Sequence, residues 1–284
     1  MNTVTISIIT AVITALLTTL IKSWVDQLNY KNKLQKDLEF EHQRSVKNTI
    51  SKFKGQLVDC VSALHNRLKY LAREEGYAKL ENEFISKNDK ILKSTLYRFL
   101  TVFASIHLIN KEIIHFDPTK AHQDELILIK FFRILPLVFQ DRDLENNMSK
   151  EYTRSSLIQR NVFEEMYKWL IDDNEIKSYT EFLNDYDQYE HHVQPLIDYL
   201  VDISPDCLTT RWDRLYTFHL LIMGFLNKFG YDFQHNDEGK MKKYIERQGQ
   251  YDMFKNIDRH LIQKFKLSEV EEVKKILKIA KYYK

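Results

Sequence analysis

The sequence predicts an all-α fold: an N-terminal transmembrane helix, a long juxtamembrane helix and a cytosolic multi-helix domain. Three observations carry this. Glycine and proline are scarce, six and four in 284 residues, whereas strand-rich folds need frequent turn residues and nucleotide-binding α/β folds need glycine loops. Apolar residues recur mostly at three and four from Leu34 through Leu38, Val46, Ile50, Phe53, Leu57, Val61, Leu64 and Leu68 to Leu71, with no proline between them. The run TVTISIITAVITALLTTLI, from Thr3 to Ile21, contains no charged side chain.

That run sets the first boundary. Its 19 residues would span about 28 Å as a helix at 1.5 Å per residue, close to a hydrocarbon core of about 30 Å. A cleavable signal would carry a positive n-region and a small-residue cleavage site. Here no Lys or Arg precedes the run, and Lys22, Ser23, Trp24 and Val25 follow it. Lys22, Lys31, Lys33 and Lys36 then place the following chain on the cytoplasmic side by the positive-inside rule, with Trp24 and Tyr30 as interfacial aromatics. The expectation is a single-pass inner-membrane protein, N-terminus outside, with the lipid bilayer as a partner. At 100° per residue, Ser7, Thr10, Thr14 and Thr18 share one arc of the span with Thr3. Small and hydroxylated residues let helices approach closely in lipid, so this stripe is a candidate homo-oligomerisation face. The alternative is that each hydroxyl bonds back to its own helix.

Residues 1–22 thus form the expected anchor, 23–72 the juxtamembrane helix, and 73–284 the cytosolic domain. REEGYAKLENEFISKNDK reads as a polar loop with a short helix. ILKSTLYRFLTVFASIHLINKEIIHFD reads as a central buried helix ended by Asp117-Pro118; Arg98 and His107 interrupt its apolar part, which is too short to span. In QDELILIKFFRILPLVFQD, Pro136 is expected to kink or break the helix. NVFEEMYKWLID is a short amphipathic helix after a polar connection. SYTEFLNDYDQYEHHVQPLIDYL carries an acidic, tyrosine-rich turn before Pro195. The next helix is expected to start near Ser204-Pro205 and to stop at Gly230. QHNDEGKMKKYIERQGQYDMFKN reads as polar and mobile. Ser268 and Glu271 form an S-x-x-E capping-box pattern for the last helix.

Bulk composition excludes several function classes. Net charge is +2, too balanced to indicate nucleic-acid binding. Cys60 and Cys207 are the only cysteines and form no C-x-x-C pair, which excludes a disulfide framework and suits a reducing compartment. No phosphate-cradling glycine loop, G-x-S-x-G or H-E-x-x-H is present. In DYDQYEHH, Asp187 and His191 lie four apart, near Asp185, Glu190 and His192, but no second motif completes a metal site. No metal and no cofactor is expected, and the sequence leaves any protein or small-molecule ligand unspecified.

The segments LEFEHQRSVKNTISKFKGQLVDCVSALHNRL, LYRFLTVFASIHLINKEIIHFD and NVFEEMYKWLID resemble a group of uncharacterised bacterial proteins with an N-terminal anchor, a charged helix and a helical body. Membrane-anchored helical proteins of this style resemble components of anti-phage systems. The resemblance implies a sensor, scaffold or membrane-directed effector and supplies no catalytic residues. Separately, Arg214 to His219 fits R-x4-H on an expected helix, which resembles the motif of the all-helical HEPN ribonucleases. That likeness implies Arg214 stabilising phosphate charge and His219 assisting proton transfer, from paired protomers. The family usually has a polar residue after the arginine, where this chain has Leu215.

Overall fold

The computed structural model describes residues 3–73, 76–113, 121–145, 157–207, 209–246 and 253–282; the side chains of 3–10, 12, 42, 46, 281 and 282 fall outside that description. The described residues form helices and one two-stranded hairpin. The elements are α1 (Thr3–Leu71), α2 (Asn82–Ile85), α3 (Lys90–Ile113), α4 (Gln123–Gln140), α5 (Arg160–Lys168), β1 (Ile171–Asp172), β2 (Glu175–Ile176), α6 (Tyr179–Leu200), α7 (Arg211–Phe229), α8 (Glu238–Ile245), α9 (Met253–Ile257) and α10 (Glu271–Tyr282). The chain divides into two units, one of residues 1–48 with 116–122, the other of 49–115 with 123–284. The expected juxtamembrane segment 23–72 therefore contributes to both.

In the first unit the described large apolar side chains are exposed, among them Leu16, Leu20, Trp24, Leu28, Leu34, Leu38 and Phe40. The run Thr3–Ile21 is helical, as its composition predicts. Among the described residues, however, no helix is long and apolar enough to cross a membrane. Those residues leave out the side chains of 3–10 and 12, which belong to the run.

In the second unit the apolar spacing of residues 50–71 becomes burial: Ile50, Leu57, Val58, Val61, Leu64, Leu68 and Leu71 are all in the core. The most enclosed helix is α7, not α3. Sixteen of its 19 residues are buried, so it has no solvent face, and a helix buried all round must lie at the centre of its unit. A phenylalanine cluster joins it to its neighbours. The Phe218 ring lies 4.9 Å from Phe139, 5.4 Å from Phe99 and 5.9 Å from Phe103, the range in which tilted and edge-to-face aromatic pairs are favourable.

Several boundaries differ from the sequence reading. Pro195 lies inside α6 and Pro136 inside α4, and neither helix breaks. A proline in a helix interior costs about 3 kcal/mol; α6 offsets this by burying Phe182, Tyr186, Val193, Leu196, Tyr199 and Leu200. The expected turn before Pro195 is therefore helix, opened by a capping box from Ser178 and Glu181. α7 starts at Arg211 rather than near Pro205. Ser268 falls in a 3-10 turn and Glu271 is the first residue of α10, so no capping box forms there. Part of the segment expected to be mobile is α8, whose N-cap Asp237 accepts from the Lys240 N–H at 2.8 Å. The small hairpin was not anticipated. Asp173 and Asn174 both have positive φ, 45° and 64°, which fits the two-residue turn that joins twisted antiparallel strands.

Candidate functional site

The first turn of α7 carries two guanidiniums, each turned onto the C-terminal end of a neighbouring helix. Arg211 Nη1 donates to the carbonyls of Asp198 (2.7 Å), Tyr199 (3.2 Å) and Val201 (3.0 Å) at the end of α6. Arg214 donates to the Val138 carbonyl through Nη1 and to the Asp141 carbonyl at 3.1 Å through Nη2, at the end of α4. The last carbonyls of a helix have no partner within it, and cations there also oppose the helix dipole.

Arg214 is fully buried, which for an always-charged group demands a counter-ion. It is Glu145, whose Oε1 lies 2.9 Å from Nη2 and 3.1 Å from Nε. The same oxygen accepts from the Thr210 hydroxyl at 2.7 Å. Glu145 sits in QDRDLE, 69 residues before Arg214, so no local pattern could pair them.

His219 is also buried, and its Nε2 lies 2.9 Å from Nδ1 of His65 on α1. One ring must donate and the other accept, so at least one nitrogen of the pair carries a proton. The Tyr244 ring of α8 meets His219 edge-on at 4.8 Å. The two expected catalytic residues thus have separate partners. Five positions along a helix turn them about 140° apart, Arg214 towards α4 and His219 towards α1. With both side chains buried, this chain presents neither to a phosphate backbone.

Burial pushes the His65 pKa down to about 4, helped by Lys69 and Lys240. Burial likewise holds His219 well below the usual imidazole range, with His65 and Lys69 adding to the shift. Both rings are neutral near pH 7 in the folded protein, while an unfolded histidine titrates near 6.5. The unfolded chain therefore binds more protons below that value, and stability falls as pH drops from 6.5 towards about 4. For His65 alone the loss is on the order of 3 kcal/mol at 1.36 kcal/mol per pKa unit. Urea unfolding at neutral and acid pH should show this, and a His65→Gln/His219→Leu double variant should have a flatter profile across the same window. Identical slopes in the two proteins would show that the pair does not govern acid stability.

The DYDQYEHH segment is part of α6. Asp185 is held by Lys177 at 2.7 Å, Tyr189 stacks on Trp169 at 4.8 Å, and the rings of His191 and His192 lie 4.0 Å apart. No group of three or more His, Cys, Asp or Glu suited to a metal ion occurs among the described residues. Of the hydroxyl stripe, the side chains of Ser7 and Thr10 lie outside the described residues. Thr18 Oγ1 donates back to the Thr14 carbonyl at 2.7 Å, and Thr19 does the same to Ala15.

The sequence reading missed His65 and Glu145, whose roles depend on long-range packing. It also missed a lysine-lined groove between α8 and α10. Its only sequence trace is the paired KMKK and KKILK runs on amphipathic helices. The chain matches no protein-family model, and comparisons with curated proteins and with solved structures find no match either.

Proposed function

We propose that this protein is a membrane-tethered helical sensor, scaffold or effector, with the N-terminal part of α1 as the tether and the all-helical second unit on the cytoplasmic side. The observation that carries this reading is the uncharged stretch Thr3–Ile21 within α1, followed by Lys22, Lys31, Lys33 and Lys36. A role in anti-phage defence rests on the resemblance of the three quoted segments alone. Self-association through the tether is part of the same reading. At Thr18 the hydroxyl proton already goes to the Thr14 carbonyl, so there the contact would rest on close approach of small side chains. The alternative, a ribonuclease reading, rests on the R-x4-H spacing alone, and Arg214 and His219 are both buried on partners within the chain.

Carbonate extraction of membranes tests the tether: the full chain should stay in the pellet, and its release into the supernatant would end the reading. Protease added to intact spheroplasts should spare the second unit. Digestion of that unit there would reverse the orientation.

A further inference from the structure

α8 and α10 pack against each other, burying Met241, Tyr244 and Ile245 from one and Val273, Ile276 and Leu277 from the other. Their outward faces line a groove of about 620 Å³, within the roughly 300–1,000 Å³ typical of small-ligand sites. Lys242, Lys274, Lys275 and Lys278 line it together with Glu238, Glu271 and Ile279. All four lysines are exposed. Lys274 reaches Glu271 only at 3.9 Å, and among the described residues no ion pair engages Lys242, Lys275 or Lys278.

We infer that this groove binds a small anion bearing two or more phosphate groups. The net charge of the entire chain is only +2, so four ammonium groups against two carboxylates make the groove a local concentration of positive charge. Clustered like charges repel, and a bound polyanion relieves that repulsion. The groove presents several point-charge donors rather than one planar fork. That suits a ligand with many tetrahedrally arranged oxygens better than a single carboxylate, which one arginine would hold bidentately. The phosphates could belong to a free molecule or to a lipid headgroup, since both offer the same oxygens. The inference does not rest on the tether reading, because every lysine involved lies in the second unit.

The test uses the full chain in detergent, titrated calorimetrically with inorganic tripolyphosphate and with a water-soluble dioctanoyl phosphatidylinositol phosphate. Saturable binding that weakens as salt rises is expected. A Lys242→Gln/Lys275→Gln/Lys278→Gln triple variant should lose affinity by roughly tenfold or more, since one hydrogen bond to a charged group is already worth about that factor. Lys87→Gln, at an exposed lysine of the α2 region, should bind as the parent does. Lysine-dependent binding of tripolyphosphate supports a free polyphosphate ligand. Lysine-dependent binding of the phosphoinositide alone supports a headgroup ligand. Binding of neither probe, or equal binding by parent and triple variant, overturns the inference. The substituted side chains are exposed, so an unchanged melting curve should accompany the loss.

Discussion

Arg214→Ala is expected to destabilise the second unit by about 3–5 kcal/mol, the range for removing one partner of a buried ion pair. That is a large share of the roughly 5–15 kcal/mol by which a domain is usually stable. The alanine would strand the Glu145 carboxylate, which is buried and whose Oε2 has no partner among the described residues. It would also leave the Val138 and Asp141 carbonyls at the end of α4 without their donor. Arg214→Lys should recover little, because one ammonium cannot reach the carboxylate and two carbonyls in the guanidinium's fixed geometry. An Arg214→Leu/Glu145→Leu double variant should be less unstable than the sum of its single variants, since it removes the buried charge with its partner. Denaturant midpoints of the parent, the alanine and lysine variants, Arg214→Leu, Glu145→Leu and the double variant provide the measurement. If the alanine variant unfolds like the parent, Arg214 is not a structural staple, and the ribonuclease reading of its role would be worth reopening.

Phe218→Ala should cost a comparable amount, about 3–5 kcal/mol, from lost burial and the cavity left behind. Its ring is fully enclosed among Phe99, Phe103 and Phe139, and α7 has no solvent face along which the neighbours could collapse. Phe233→Ala is the matched control. That ring is 83% exposed and, among the described residues, stacks on Tyr231 alone, so its removal should stay within about 0.5 kcal/mol. Similar losses at both positions would mean that the phenylalanine cluster is not the core of the unit.

The sequence made the helices legible wherever burial follows a simple period. Residues 57–71 are the plainest case: apolar residues at three and four became the buried face of α1. It misjudged places where tertiary burial outweighs local preference. Pro195 was read as the end of a turn, but the aromatic and aliphatic side chains that α6 buries carry the helix through it. The Ser268–Glu271 spacing matched a cap that the chain does not use, because the helix begins at the glutamate itself. At the candidate site the R-x4-H spacing was visible, but its meaning was not. Two residues five apart on a helix say nothing of what each faces, and here the answers came from Glu145 and His65, 69 and 154 residues away.

By itself, the sequence determined the helical class, the uncharged N-terminal helix with lysines after it, and the lack of cysteine pairs for a disulfide framework. These depend on composition and short-range periodicity, which a linear chain displays directly. Only the tertiary structure decided that α7 is the enclosed centre, that Arg211 and Arg214 close the ends of α6 and α4, that His219 pairs with His65, and that the lysines of α8 and α10 meet in one groove. Each of these requires residues distant in sequence to come within a few ångströms. That proximity is set by how the helices bury their apolar faces together, and no pattern along the chain records which faces will meet.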